Sequence, residues 1–513
     1  MTVKLPRYHA ARWDEPIVTE MGVPGRRGLM FDGDEGADAL IPAALARKDR
    51  PRLPELSEPE VFRHYLHLAQ MTLGMQGVSL FGTCTMKYNS PTSEAIAWRP
   101  EMAETHPLQD ESTLQGTLEF IHRFDLMLRA LSGMEQFIFQ PGGGADAAYT
   151  HCAVLRAWLA GRGELGTRDE IITSIQAHPC NPATAATAGF KVITLTIEEN
   201  GYPSLEQLKA AISGRTAALM IGNPDDMGIY NPDIKEWVRI VHEAGGLCFY
   251  DHANFNGVMG KLRARDLGFD ACMYMLHKTF GAPKGGNGPS VGAYGCSAEL
   301  APFLPAPVVT KDGGGYHLDY DRPQSCGKVR EYFGNAQQVM KAYAWTASMG
   351  ADGIREASDL SVLANNYMDA RLGRIRGLSR SHPHIEAPRM EMTRWSMAPL
   401  RQETGVSVLD VQRRMTDFGI DAFWLSHEPW VVPEPFTPEA GEMWSKEDID
   451  RWIDVLEAVV EEAYRNPATV KSAPHNQAIH MLDGSALNDP EAFSTTMRRH
   501  RQPSGFATLS GNR

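Results

Sequence analysis

Two residues of opposite charge stand just after apolar runs of the sequence. Asp251 ends the run "LCFYD", and Lys278 follows the run "ACMYML" 27 positions later, within "MLHKTFGAPKGGNGP". A third segment, "QPGGGADAAYT", follows the apolar run "QFIFQ" and opens a helical pattern. Backbone N–H groups at such a helix start attract phosphate. An amine, a carboxylate and an anion cradle at successive strand ends indicate covalent chemistry on a phosphate-bearing cofactor.

Pyridoxal phosphate is the cofactor that uses this combination of groups. A lysine forms an imine with its aldehyde, and a carboxylate keeps the pyridine nitrogen protonated so that the ring accepts electrons. Lys278 and Asp251 suit these roles, and His178, in "AHPCNPAT" after a further predicted strand, is placed to stack on the ring. Taken singly, each has an ordinary alternative: a solvated lysine, a helix-capping aspartate or a structural histidine. Their occurrence at successive strand ends favours the cofactor site.

The neighbours of these three residues complete the predicted site. The glycine-rich helix start offers backbone N–H groups, and the residues beside the aspartate and the lysine share their strand ends. The predicted catalytic residues are Lys278, His178 and Asp251. The predicted cofactor-binding residues are those three with Gly144, Ala145, Asp146, Ala253, His277 and Thr279.

Short β-rich runs alternate with helical patterns from residue 136 to residue 276. The predicted strands are "QFIFQ", "EIITSI", "KVITLTI", "AALMIG", "LCFYD" and "ACMYML", and the helices between them include "ADAAYTHCAVLRAWLAG" and "DIKEWVRIVHEAG". Such repetition with near-continuous apolar strands predicts an α/β fold with a largely parallel sheet covered on both faces. Ligands of such sheets gather at the carboxyl ends of the strands.

The sequence predicts four segments. Residues 1–60 are rich in Pro, Gly and charge and predict an extended arm, and residues 61–340 predict a large cofactor-binding domain. Amphipathic helices such as "SKEDIDRWIDVLEAVVEEAYRNP" predict a smaller α+β domain over residues 341–490. The polar stretch 491–513 predicts a loose tail.

Composition restricts the class of protein. With 513 residues, 43% hydrophobic content and a net charge of −13, the chain is typical of a soluble globular protein and argues against nucleic acid as a partner. No apolar run reaches the roughly 18 to 20 residues of a membrane span, and the first residues lack a secretory signal. The seven Cys lack C-x-x-C spacing, so we predict no metal site and a reducing cytoplasm as the location.

Several long motifs carry a family resemblance. They include "FGTCTMKYNS", "HPLQDESTLQG", "AHPCNPATAATAGFKVI", "HEAGGLCFYDHANFNGVMGKLRARDLGFD" and "LHKTFGAPKGGNGP". In this order they resemble the pyridoxal-phosphate subunit of the glycine cleavage system, and more closely subunit 2 of the two-chain glycine dehydrogenase (decarboxylating). The likeness covers roughly residues 60 to 480.

This resemblance implies fold type I of the pyridoxal-phosphate enzymes, with a mostly parallel seven-stranded sheet. It implies that Lys278 is the Schiff-base lysine, that Asp251 pairs with the ring nitrogen and that His178 stacks on the ring. In the family, glycine loses its carboxylate and the aminomethyl group passes to a lipoyl arm on a carrier protein. The expected partners are therefore an amino-acid substrate, a lipoyl carrier protein, and a subunit 1 homologue or further copies of this chain.

Several positions depart from the family pattern near the expected site. His252 stands where the family has Gly, Lys284 where it has His, and Asp146 adds an acid to the glycine-rich loop. Pro179 and Cys180 alter "AHPCNP", and "RMEMTRW" lacks the His of the family's M-H-E-F. We expect the substrate to meet Thr85, Lys87, His252 and Lys284. His252 and Lys284 would add bulk and positive charge near the cofactor, and Asp146 would add a negative charge there.

Three functional hypotheses follow from these residues. The first is glycine decarboxylation with a lipoyl carrier. The second is a related enzyme that uses pyridoxal phosphate on another small amino acid, by decarboxylase, lyase or transferase chemistry without the carrier. The third is a catalytically silent partner subunit, which the presence of Lys278, Asp251 and His178 opposes.

Overall fold

A seven-stranded sheet forms the centre of the larger part of the chain. In the computed structural model, which describes residues 5–29, 36–49, 51, 53–72, 80, 89–283, 290–421, 423, 425–426 and 430–481, its strand order is β1-β7-β6-β5-β4-β2-β3. Only β7 runs antiparallel to its neighbours, β1 and β6. The strands are β1 (Gln136–Ile138), β2 (Glu170–Ser174), β3 (Lys191–Leu195), β4 (Thr216–Gly222), β5 (Leu247–His252), β6 (Ala271–Met275) and β7 (Gly292–Cys296).

Helices precede the sheet, cover it and continue into the C-terminal part. They are α1 (Glu58–Gln70), α2 (Pro91–Ala97), α3 (Pro100–Ala103), α4 (Gln115–Ser132), α5 (Gly144–Gly161), α6 (Cys180–Thr187), α7 (Leu205–Ala211), α8 (Ile234–Glu243), α9 (Ala336–Leu372), α10 (Ala398–Thr404), α11 (Val408–Thr416), α12 (Lys446–Arg465) and α13 (Pro467–Lys471). Short 3-10 turns cover Val18–Glu20, Ala37–Leu40, Glu111–Thr113, Ala264–Leu267 and Ala301–Phe303.

Each face of the sheet packs against its own hydrophobic core. One core joins Tyr250 of β5 to helices α4 and α8, and it includes Trp237. The other joins Phe249 of β5 to helix α5, and it includes Leu155. Successive side chains of a strand point to opposite faces, so consecutive residues of β5 belong to different cores. The predicted sheet, with helices on both faces, is confirmed.

The C-terminal part has a separate core and a small three-stranded sheet. Its strands are β10 (Ser379–Arg380), β11 (Trp395–Ser396) and β12 (Pro435–Phe436), and a two-stranded ribbon, β8 (Val308–Asp312) with β9 (Gly315–Asp319), lies earlier in the chain. Helix α12 contributes Trp452 to this core. The Ser445 side chain accepts a hydrogen bond from the Asp448 N–H, which caps the start of α12.

The boundary predicted at residue 340 falls inside helix α9. This helix is interrupted at Gly350, whose φ of 61° is outside the helical range. Helix α9 therefore continues across the boundary that the change of composition predicted. The predicted tail, 491–513, lies outside the described residues.

The N-terminal arm contacts the C-terminal part. The Ala10 N–H donates to the Asn476 carbonyl at 2.8 Å, and Arg12 donates to the His475 carbonyl at 3.0 Å. Within the described ranges the arm has only short 3-10 turns before α1, as its Pro and Gly content predicts. The described helices include none with the length and apolar character needed to span a bilayer.

Candidate active site at the carboxyl edge of the sheet

Lys278 lies in a turn three residues beyond the end of β6. Its N–H donates to the Met275 carbonyl at 3.0 Å, which closes the turn, and the residue is only 3% exposed. Burying an ammonium group in a protein requires compensating partners. The lysine is therefore held inside the fold next to the strand ends, and the alternative of a solvated surface lysine does not fit this position.

Asp251 is the buried acid at the end of β5. Its Oδ2 accepts a hydrogen bond from Asn181 Nδ2 at 3.0 Å, and its Oδ1 accepts one from the Ala253 N–H at 2.9 Å. Burial raises the pKa of the Asp251 carboxyl, whereas these hydrogen bonds and the charge of Lys278 oppose that rise. Because an isolated buried carboxylate is costly, a cationic group beside it would be stabilising.

His178 lies at the start of α6 and is partly buried. Its Nδ1 accepts a hydrogen bond from the Cys180 N–H at 3.1 Å, and its carbonyl accepts one from the Asn181 N–H at 2.9 Å. The first bond places the proton of a neutral ring on Nε2. Asn181 belongs to the same helix start, so one short segment positions both the histidine and the partner of Asp251.

The glycine-rich loop closes tightly onto the ends of β6 and β7. A Cβ on Gly144 would lie 1.9 Å from Met275 Cε, and a Cβ on Gly292 would lie 2.6 Å from the Gly143 carbonyl oxygen. A side chain at position 292 would therefore collide with backbone, whereas one at position 144 would force the Met275 side chain to move. Helix α5 begins at Gly144, so the N–H groups of its first turn, including that of the exposed Ala145, have no acceptor within the helix.

Two side chains border this loop, and a third, that of Thr279, is buried directly after Lys278. His277 Nδ1 hydrogen-bonds to Ser290 Oγ at 2.8 Å, and a Cβ on Gly143 would lie 3.6 Å from that oxygen and 3.9 Å from His277 Cε1. Thr279 is 2% exposed, and its Oγ1 has no hydrogen-bond partner among the described residues. A buried hydroxyl without a partner is uncommon and indicates that an external group completes it.

Asp146 shapes the loop through two contacts. Its Oδ2 accepts a hydrogen bond from the Gly142 N–H at 3.0 Å and forms an ion pair with Arg330 Nη1 at 3.0 Å. Arg330 therefore offsets the negative charge that the sequence placed in this loop. The loop therefore does not carry the uncompensated negative charge that was expected beside the cofactor.

His252 occupies a different place from the one expected. It is 2% exposed, its ring centroid lies 3.8 Å from that of Tyr250 and 5.3 Å from that of Tyr274, and neither ring nitrogen has a hydrogen-bond partner among the described residues. Burial lowers the pKa of His252 to about 3, so the ring is neutral. As the neighbour of Asp251 in β5, it points to the opposite face of the sheet. This corrects the expectation that His252 brings a positive charge to the substrate.

The depressed pKa of His252 predicts an acid-linked loss of stability. Unfolding returns the pKa from about 3 toward 6.5, so the unfolded chain gains a proton as the pH falls through this window. Each pH unit well inside the window then removes about 1.4 kcal/mol of stability. We expect His252→Phe to reduce the loss of apparent melting temperature between pH 6.5 and pH 4, relative to the wild type.

The same substitution at the exposed His384 is the control, and it should leave the pH dependence unchanged. Equal pH dependence in His252→Phe and the wild type would mean that His252 is charged or solvated in the folded protein.

Three predicted substrate residues, Thr85, Lys87 and Lys284, lie outside the described residues. The structure places Lys278 near Asp251, His178 beside the Asn181 that binds Asp251, and His277 beside the glycine-rich loop; Ala253 donates to Asp251, and Thr279 follows Lys278 and is buried. The sequence reasoning missed Asn181 and Ser290. Asn181 stands in the quoted motif "AHPCNPAT", three positions after His178, so its place at a helix start was an available signal.

Three buried polar residues lie near the contact between the large domain and the C-terminal part, where the Met390 N–H donates to the Gly228 carbonyl at 3.0 Å. Asp226 follows the end of β4, Asn254 follows β5, and Glu391 precedes β11; all three are buried. The rule that selected Asp251 at a strand end also applies to Asp226. No local pattern selects Glu391, which belongs to the C-terminal part and lies against Gly257 of the loop after β5.

Known proteins resemble the chain along nearly its whole length. A probable glycine dehydrogenase (decarboxylating) subunit 2 from Pyrococcus abyssi (strain GE5 / Orsay) is 43% identical over 480 residues, which are 93% of this chain and 95% of that protein. The protein of the same name from Staphylococcus aureus (strain Newman) is 38% identical over 476 residues, 91% of this chain and 95% of its own length. The aminotransferase class-V family model matches residues 134–303, which contain the sheet and the candidate site.

A solved structure agrees with the observed architecture. The glycine decarboxylase (P-protein) of the glycine cleavage system, crystallised in an inhibitor-bound form, superposes with a TM-score of 0.67 and 22% identity. The match covers 82% of this chain and 94% of that one. At this identity the likeness establishes the fold, and it extends beyond the sheet into the C-terminal part.

Proposed function

Because the chain belongs to the family of glycine dehydrogenase (decarboxylating) subunit 2, we propose that it decarboxylates glycine with pyridoxal phosphate and passes the aminomethyl group to a lipoyl carrier protein. The family is pyridoxal-phosphate-dependent, and the chain has the corresponding fold. The observation that carries the proposal is the buried Lys278 beside the buried Asp251, at the sheet edge next to the glycine-rich loop.

The residues at the glycine-rich loop fit the phosphate of the cofactor. The first-turn N–H groups of α5 and the unpartnered hydroxyl of Thr279 are hydrogen-bond donors, and His277 with Ser290 borders the same space. A Cβ on Gly143 would stand 3.6 Å from Ser290 Oγ and 3.9 Å from His277 Cε1, so this glycine lies next to the two side chains that would border the phosphate. An anion at a helix start is stabilised both by these donors and by the helix dipole.

The residues at the strand ends fit the pyridine ring. Asp251, fixed by Asn181 and by the Ala253 N–H, would hold the protonated ring nitrogen, which in turn stabilises the buried carboxylate. His178 would lie against the ring, because its Nδ1 is tied to the Cys180 N–H. Lys278 would carry the covalent link.

Pyridoxal phosphate, when bound, supplies an electron sink for the electron pair released as the carboxylate departs. The chain supplies the environment for that chemistry. Asp251 would hold a negative charge at the ring nitrogen, the helix start would hold the phosphate, and the burial of Lys278 would keep water from the linkage. Such preorganised charges act most strongly where water is excluded.

The proposal includes partners. The relatives are named subunit 2, which implies that they work with a different subunit. We propose that this chain assembles with a subunit 1 homologue, with association among copies of this chain as the alternative, and that the lipoyl arm of a carrier protein reaches the carboxyl edge of the sheet. A reducing cytoplasm is the proposed location.

Exchange of label between bicarbonate and the carboxyl group of glycine tests this function. With the lipoyl carrier and the subunit 1 homologue present, we expect exchange well above background, because decarboxylation is reversible when the carrier is supplied. Omission of the carrier, and use of Lys278→Ala, are the two controls that should remove the signal.

A different result would point to the alternative enzyme. If exchange is absent while another small amino acid changes the absorbance of the bound cofactor, glycine is not the substrate. The function would then be a related pyridoxal-phosphate reaction without the carrier.

A further inference from the structure

Asp146 and Arg330 form an ion pair beside the start of helix α5. Asp146 Oδ2 lies 3.0 Å from Arg330 Nη1, and the same oxygen accepts a hydrogen bond from the Gly142 N–H at 3.0 Å. A Cβ on Gly142 would lie only 1.8 Å from Arg330 Nη1. The guanidinium group therefore lies directly against the glycine-rich loop, and an acid of the first turn of α5 joins it to the loop backbone.

The segment that carries Arg330 is anchored beside the end of β1. Phe333 is 6% exposed and belongs to the hydrophobic core that α4 shares with the sheet. Gly334 has a φ of +106°, and a Cβ there would lie 2.0 Å from the Phe139 carbonyl oxygen. The backbone at position 334 therefore packs closely against the chain that leads from β1 into the glycine-rich loop, and it presents Arg330 to that loop.

Asp146 places a negative charge where it would oppose an anionic ligand. A phosphate ester carries close to two negative charges at pH 7, and a carboxylate in the same helical turn repels it. The charge of Arg330 offsets that of Asp146, and the shared contact with the Gly142 N–H holds the carboxylate on the loop backbone. The Arg330 and Asp146 side chains are 47% and 40% exposed, so solvent screens part of the effect.

We propose that Arg330 is a positioning residue that sets the preference of this site for a phosphorylated cofactor, through its ion pair with Asp146. Without Arg330, Asp146 presents an uncompensated carboxylate at the helix start, which disfavours the phosphate. Arg330 acts through Asp146 rather than by contact with the phosphate. The inference rests on the proposed function, because it concerns the cofactor of that same site.

The test compares the affinity of the full chain, freed of cofactor, for pyridoxal phosphate and for pyridoxal, which lacks the phosphate. Absorbance of the imine with Lys278 measures binding, and Lys278→Ala measures imines formed on other lysines. We expect Arg330→Gln to weaken binding of pyridoxal phosphate by about three- to ten-fold and to leave pyridoxal binding unchanged. An equal loss for both compounds would show a merely structural role and would overturn the proposal, as would no loss for either.

A second substitution tests whether Arg330 acts through Asp146. Arg330→Gln combined with Asp146→Asn removes both charges, so the preference for pyridoxal phosphate should return to within about two-fold of the wild type. Arg330→Lys keeps the positive charge and should also retain the preference. If the double variant binds pyridoxal phosphate as weakly as Arg330→Gln does, Arg330 contacts the phosphate itself and the proposed route through Asp146 is wrong.

Asp146→Asn alone gives an independent result if Arg330→Gln does not fold. It removes the repelling charge and leaves that of Arg330, so it should bind pyridoxal phosphate at least as tightly as the wild type does. Weaker binding of pyridoxal phosphate, with unchanged binding of pyridoxal, would contradict the proposal because Asp146 would then favour the phosphate.

The ion pair of Arg215 with Asp169 provides the matched control. Arg215 Nη2 lies 2.7 Å from Asp169 Oδ1, and the Arg215 side chain is 47% exposed, as is that of Arg330. Arg215 and Asp169 directly precede β4 and β2, so they lie at the amino edge of the sheet, opposite the candidate site. Arg215→Gln should leave both affinities unchanged. A loss equal to that in Arg330→Gln would mean that net charge alone causes the effect, and the proposal would fail.

Failure of this inference is distinguishable from failure of the proposed function. Bicarbonate exchange by the wild type, together with an unchanged phosphate preference in Arg330→Gln, would remove the role of Arg330 and keep the decarboxylase. A reduced preference in Arg330→Gln, without exchange by the wild type, would keep the role of Arg330 and assign the chain a different reaction of the same cofactor.

Discussion

Lys278→Ala is expected to abolish covalent attachment of pyridoxal phosphate and to reduce bicarbonate exchange to the level measured without enzyme. The amine of Lys278 is buried beside Asp251 and next to the glycine-rich loop, where the covalent link is proposed. Treatment with borohydride followed by peptide mass analysis measures the attachment. The wild type should carry the pyridoxyl group on the peptide that contains residue 278, and the variant should carry none.

Lys341→Ala is the matched control because Lys341 is also a buried lysine. Its Nζ pairs with Glu94 Oε1 at 2.7 Å, so its charge is already neutralised by a carboxylate. This control should keep the pyridoxyl group on residue 278, although the lost ion pair lowers its stability. Recovery of a pyridoxyl peptide from folded Lys278→Ala would show that another lysine carries the cofactor.

Asp251→Asn is expected to lower the exchange rate by about 10²- to 10³-fold while the protein still binds the cofactor. The substitution preserves shape but removes the negative charge that would keep the ring nitrogen protonated. It also places an amide opposite Asn181, whose Nδ2 now donates to Asp251 at 3.0 Å. Rate and cofactor absorbance are measured together, so that a loss of binding is separated from a loss of catalysis.

A paired variant separates charge from hydrogen bonding. Asn181→Asp combined with Asp251→Asn keeps a carboxylate and an amide facing each other but moves the charge to position 181. If the charge at position 251 matters, this double variant remains slow. Asp125→Asn, at a buried acid paired with Arg129, is a control for the general effect of losing a buried carboxylate and should retain the exchange rate. Wild-type activity in Asp251→Asn would mean that the ring-nitrogen partner is a different residue.

Most elements of the large domain were predictable from local patterns. The apolar run "LCFYD" became most of β5, and the helical pattern "DIKEWVRIVHEAG" contains α8. Strand β7, with the sequence "GAYGC", was not among the predicted runs, because its glycines give it no β-rich pattern. It forms because it pairs on both sides, with β1 and β6, which are distant in the chain.

The site itself was only partly predictable. Lys278, Asp251 and His178 were identifiable because each follows an apolar run, and strand ends meet at one edge of a parallel sheet. The residue type alone did not reveal that His252 faces the opposite side of the sheet from Asp251. It also did not reveal that Asp146 pairs with Arg330, which is 184 positions away in the chain.

The sequence by itself determined the chemical groups, their order at the strand ends and the family. These depend on residue identity and on apolar periodicity, which are local properties of the chain. Only the tertiary structure decided which groups are charged and which are near one another. Burial makes His252 neutral, Arg330 offsets Asp146, and Asn181 of α6 donates to Asp251 of β5 across 70 positions of the chain. Charge and proximity in this site arise from desolvation and from contacts between distant segments, and neither is encoded in a local pattern.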